Sequence, residues 1–140
     1  MSTTETNPFA TTESIDEMLA SDLRASVRAA AKATEEFVES VAKYGPAYGV
    51  GWGESAVRAD HEASFAIGVQ QAIERGDLTP REALAAYANE AREDLLRNRF
   101  RQSSTSMLHN ASTVAKAEAA SQFVQKADGF ERLYAEVAGA

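Results

Sequence analysis

Residues 14–46 read SIDEMLASDLRASVRAAAKATEEFVESVAKYGP. Within them Leu19, Leu23, Val27, Ala30, Thr34, Phe37, Val41 and Tyr44 recur at steps of three and four, which lays them along one face of an α-helix. Ser14 and Glu17 have the spacing of a capping box, in which the hydroxyl takes an orphan backbone N–H and the carboxylate reaches back. Gly45-Pro46 ends the run. A helix over 15–43 would be about 44 Å long. A globule of this chain length has a radius of gyration of only about 14 Å. The spacing therefore predicts long helices in an elongated bundle or hairpin.

Working outward, residues 1–13 are rich in Thr, Ser and Glu and read as a flexible or docking N-terminal tail. Residues 45–53 hold four glycines and a proline, a broad turn. A second helix is expected over 54–75, with Val57, His61, Ser64, Phe65, Gly68, Val69, Ala72 and Ile73 on one face and Gly76 as its stop. Thr79-Pro80-Arg81-Glu82 is the sharpest local signal: an N-cap, a proline at the first helical position and a glutamate to close the box. The third helix turns Leu84, Tyr87, Ala88, Ala91 and Leu95 inward, and Ser103 to Ser106 read as a break or kink. A fourth helix over about 105–127 carries a weak stripe of Met107, Ala111, Val114, Glu118, Ser121 and Val124. Asp128-Gly129 is expected to stop it, leaving Phe130 to Val137 as a short docking end. No segment alternates with period two. The fold class is all-α: an elongated bundle or hairpin of four to five helices, with residues 14–140 as one helical domain.

Composition sharpens this picture. The 140 residues include 28 alanines, so only 34 of the apolar residues are large. Alanine is the best helix former but buries little area. Long helices with thin apolar stripes are expected, and a core completed by contact with another copy or a partner. The absence of cysteine excludes disulfides and thiolate zinc sites. The N-terminus is polar and acidic, unlike a signal or transit peptide, and no apolar run reaches membrane-spanning length. The expected location is the cytoplasm, or a particle assembled there.

Catalytic patterns are nearly absent. His61-Glu62-Ala63-Ser64-Phe65 begins like a zinc-protease helix, but Phe65 stands where the second histidine must be. His61 reads as a half-buried helix residue and His109 as solvent-facing. There is no Glu-x-x-His pair and no Gly-x-Ser-x-Gly elbow. Glu35, Glu36 and Glu39 make a solvated acidic face. Gly49-x-Gly51-x-Gly53 follows a helix, lacks a lysine and is followed by Glu54, all contrary to phosphate binding. No metal, cofactor or catalytic residue is expected.

Two interaction candidates remain. Tyr44, Tyr48 and Trp52 lie around the glycine-rich turn, where they would anchor a partner or, more simply, cap the bundle end. The second candidate is electrostatic. The net charge of −7 divides into −9 over residues 1–94, +4 over 95–117 and −2 over 118–140. The acid-free segment carries Arg97, Arg99, Arg101 and Lys116. Its simplest account is a solvated helix end, where cations suit the dipole. Next come pairing with the acidic face of a neighbouring copy and contact with nucleic-acid phosphates. Overall acidity ranks the nucleic acid below self-association.

The sequence thus leads to a non-enzymatic helical interaction or structural protein that self-assembles or decorates a larger assembly. Its size and composition suit a bacterial or bacteriophage origin. The alternatives are a nucleic-acid-binding accessory protein using segment 97–116, or an acidic inhibitor of a nucleic-acid enzyme. A homo-oligomer or a protein partner is expected, and no membrane.

Overall fold

The computed structural model describes residues 11–45, 50–101 and 107–139, with side chains described in these ranges except at 50–52, 99–101, 107–112 and 139. Four helices follow in order: α1 Thr12–Tyr44, α2 Val50–Arg75, α3 Pro80–Arg101 and α4 Met107–Gly139. No strand occurs among the described residues. The 33 residues of α1 and of α4 each make a rod of about 50 Å.

The ends of the helices follow from local chemistry. Thr11 caps α1: its hydroxyl accepts from the Ser14 N–H at 3.1 Å, and its own N–H donates to Ser14 Oγ at 2.9 Å. This corrects the expected Ser14/Glu17 box. Ser14 plays the reciprocating part, and starting at Thr12 adds nearly a turn of backbone bonds without losing a cap. Residues 1–10 of the expected tail lie outside the described residues. Gly45 closes α1 at φ 91°, its N–H donating to the Val41 carbonyl at 2.9 Å. Gly76, at φ 75°, closes α2. The Thr79/Glu82 box forms as expected, with bonds of 3.0 and 3.2 Å.

Successive helices run antiparallel, and α2 lies alongside α4 and touches all three others. Phe37 of α1 stands over Gly53 of α2, and Tyr87 of α3 over Gly68 of α2. Leu19, Leu23, Phe65, Val69, Leu84 and Phe123 form the centre, with the Phe65 and Phe123 rings 5.1 Å apart. Among the described residues, twelve of the twenty buried apolar side chains are alanines. Small contact residues let the helices approach closely, while each contributes little buried area.

Three expectations are corrected. Helix α2 starts at Val50, not at 54; Gly53 lies inside it against the Phe37 ring of α1, and an interior glycine costs a helix only about 1 kcal/mol. Helix α4 does not stop at Asp128-Gly129 but runs on to Gly139. A glycine costs an interior helix only about 1 kcal/mol, and the burial of Tyr134 with the packing of Phe130 on the core offsets it. The stripe on α4 also differs. Val114 is 41% exposed and Glu118 points outward, while Thr113, Ala115, Ala117, Ala119, Ala120, Phe123 and Ala127 are buried. Val124 of the expected stripe does pack on the core, but the rest of the inward face is made by Phe123 and by alanines, whose small side chains gave the stripe no direction. Met107 and Ala111 of that stripe have side chains outside the described ones, and Ser103 to Ser106 of the expected break lie outside the described residues.

Candidate interaction site and the polar seam

The antiparallel order gathers the C-termini of α1 and α3 and the N-termini of α2 and α4 at one end of the bundle. Tyr44, and the backbone positions of Trp52, Arg97, Arg99, Arg101 and Lys116, belong to that end. Tyr44 terminates α1 and is 56% exposed, with Lys43 Nζ 5.2 Å from its ring centre. Tyr48 lies outside the described residues, and Trp52 lies in α2 with its side chain outside the described ones. Arg97 projects from α3 with its side chain 60% exposed and a guanidinium nitrogen 3.6 Å from Asp94 Oδ1. Lys116 is exposed on α4. Arg99 and Arg101 follow Arg97 on α3, their side chains outside the described ones.

Asn98 interrupts the basic run. Its side chain is buried, and its amide donates to the Asp94 carbonyl at 2.9 Å and to Asp94 Oδ2 at 3.0 Å. The same Asp94 oxygen lies 2.6 Å from His61 Nε2 across the α2–α3 contact. His61 also meets the Phe65 ring edge-on at 5.2 Å. Asp94, Asn98 and His61 are thus held as a half-buried unit. Ser64, the nearest hydroxyl along α2, donates to the His61 backbone carbonyl at 2.6 Å.

A second polar cluster joins three helices. Lys126 of α4 places Nζ 3.0 Å from Asp22 Oδ2 of α1, 3.1 Å from Glu62 Oε1 of α2 and 3.2 Å from Ser26 Oγ of α1. Burial works against its charge, but the two carboxylates outweigh burial and hold its pKa above the ordinary lysine value. Nearer the opposite end, the Tyr134 hydroxyl donates to Asp16 Oδ1 at 2.5 Å. Burial, reinforced by that hydrogen bond to Asp16, raises the phenol pKa well above normal. Arg58 and Glu118 pair across α2 and α4 at 3.2 Å. These contacts cross between the α1–α2 and α3–α4 hairpins, so the seam between the hairpins is polar as well as alanine-rich. Sequence reasoning missed them, although Glu62, Lys126 and Asp94 each stand next to core positions.

No family model, curated protein or solved structure matches this chain. The functional reading therefore rests on the molecule itself. Among the described residues no group of three or more His, Asp or Glu side chains could hold a metal ion, and no helix is long and apolar enough to cross a membrane. A groove of about 300 Å³ lies between α3 and α4 over Leu84, Ala88 and Ala127. The Arg81–Glu131 and Arg92–Asp128 ion pairs span it. Arg81 and Arg92 of its wall are thereby committed to Glu131 and Asp128.

Proposed function

We propose that this chain is a non-enzymatic helical structural or interaction protein that self-associates or joins a larger assembly. The observation that carries the reading is the division of apolar residues. Among the described residues alanine supplies most of the buried apolar side chains by number, while Met18, Val38, Leu96 and Val114 stand more than 40% exposed on the surface. A chain so short of large core residues gains most by covering the ones it leaves outside. The polar clusters support this reading too: their hydrogen bonds and ion pairs hold helices together. The reading goes with a cytoplasmic protein, or one in a particle assembled there, and with a bacterial or bacteriophage source.

Light scattering at micromolar concentration, at two salt concentrations and with and without DNA or RNA, tests the reading. The expected result is a mass above that of one chain which nucleic acid leaves unchanged. A monomer with a high melting temperature would overturn it. A mass that rises only with nucleic acid would instead favour the accessory-protein reading, for which the gathering of Arg97, Arg99, Arg101 and Lys116 at one end of the bundle is the supporting observation.

A further inference from the structure

We propose that a row of polar residues on α4, with Lys126 at its centre, sets the register of that helix against the α1–α2 hairpin, a part that its apolar side chains leave open.

The apolar positions of α4 carry little information about register. From Thr113 to Ala120 the buried side chains are Thr113, Ala115, Ala117, Ala119 and Ala120, and they do not share one face of the helix. A slide of one turn there sets Ala115 where Ala119 stood, and the neighbouring helices meet the same methyl group. Phe123 is the largest fully buried side chain among the described residues, and its ring packs on Phe65. Val124 and Phe130 beyond it are only partly buried. One ring holds one point on a rod of about 50 Å.

The polar contacts discriminate where the alanines do not. Glu118 pairs with Arg58, Lys126 with Asp22 and Glu62, and Tyr134 with Asp16. These three residues of α4 are spaced evenly in the chain, and each lies about 12 Å along the helix from the next. Lys126 is the only cation between Lys116 and Arg132. A slide of one turn toward either end would bring Gln122 or Phe130 to the place of Lys126. Neither supplies an ammonium to Asp22 and Glu62. Asp22 Oδ2, the oxygen that Lys126 reaches, is shut off from solvent. A carboxylate left there without its cation is strongly disfavoured. The penalty for a shifted packing therefore falls on the polar row. Taking the charges away as a set removes that penalty from every register at once, so the helices persist while the choice between registers is lost.

The test measures the register within one copy, so its result is independent of whether copies associate. The chain has no cysteine, and Ala25→Cys on α1 with Gln122→Cys on α4 place two spin labels at exposed positions. Dilution with unlabelled chain confines the measured distances to single copies. Double electron–electron resonance should give the labelled parent one narrow distance distribution. With Asp22→Asn/Glu62→Gln/Lys126→Met added, the helical circular dichroism should remain while the distribution at least doubles in width or gains a second distance. Phe123→Leu in the same background should leave its position and width unchanged. A charge-free variant as narrow as its parent, at the same distance, overturns the proposal. So does a Phe123→Leu variant that broadens as much as the charge-free one. If the charge-free variant loses its helices, Lys126→Gln is measured in its place: a broadened distribution supports the proposal, and an unchanged one overturns it.

Discussion

Tyr87 of α3 packs so closely on Gly68 of α2 that a β-carbon there would lie only 2.2 Å from the ring's Cε1. The close approach of the two helices depends on that missing side chain. In an ordinary helix interior Gly→Ala stabilises by about 1 kcal/mol. Here Gly68→Ala should destabilise, by roughly 1–3 kcal/mol, because the ring must move out of a packed site. Urea unfolding followed by circular dichroism measures the sign.

Gly129 is the counterpart. It sits inside α4 with nothing within 4 Å of where a β-carbon would be. Its backbone is not in the left-handed region that Gly45 and Gly76 occupy. Gly129→Ala should therefore stabilise by about 0.5–1 kcal/mol. The same substitution at two glycines of one protein thus has opposite signs, and a melting-temperature comparison is enough to see it.

The new assignment of the α1 cap can be tested by mutation. Thr11→Ala should cost about 1 kcal/mol, whereas Glu17→Ala should stay within about 0.5 kcal/mol of wild type, as surface changes usually do. Were Ser14 and Glu17 the cap pair, Glu17→Ala would weaken the helix start by removing the reciprocal acceptor, while Thr11→Ala would do little. Thr79→Ala, at the α3 cap, should cost about as much as Thr11→Ala.

The protein should lose stability on the alkaline side. Lys126 and Tyr134 both have pKa values raised by folding. Their contribution is complete below the unfolded values of about 10 and is lost as pH rises through the folded ones. Denaturation midpoints should hold steady from pH 8 to 9.5 and fall above about pH 10. Tyr134→Phe should be less stable at neutral pH by about 1–2 kcal/mol, through loss of the Asp16 hydrogen bond. It should also show a shallower alkaline fall. A wild-type midpoint unchanged to pH 11 would contradict the network.

Much of the fold was legible in the residues. The Thr79-Pro80-x-Glu82 box and the glycine stops at 45 and 76 are local devices, and local devices survive tertiary context. The faces of α1 and α3 were readable because Leu19, Leu23, Leu84 and Leu95 contrast with their neighbours. The face of α4 was not, since alanines occur on every side of it and carry no directional signal. Gly129 misled because a stop and a tolerated interior glycine look alike until Phe130 and Tyr134 are seen to pack. Of the candidate site, the composition of the basic run was visible, but not that Asn98 faces inward to Asp94. The Lys126 cluster joins Asp22, Glu62 and residue 126, and only the register between helices could bring them together.

Pro80 has a consequence for how copies of this chain can combine. Helical hairpins often trade places between molecules when the connection between them straightens into one continuous helix. Here the four residues from Gly76 to Thr79 would have to become helical, with Pro80 then in the helix interior at a cost of about 3 kcal/mol. Gly76 would also give up its left-handed turn, and the Thr79 cap would be lost. The connection is therefore locked against exchange of hairpins. Under the proposed self-association, copies would then meet as closed protomers, through their outer surfaces, in a contact expected to reverse on dilution.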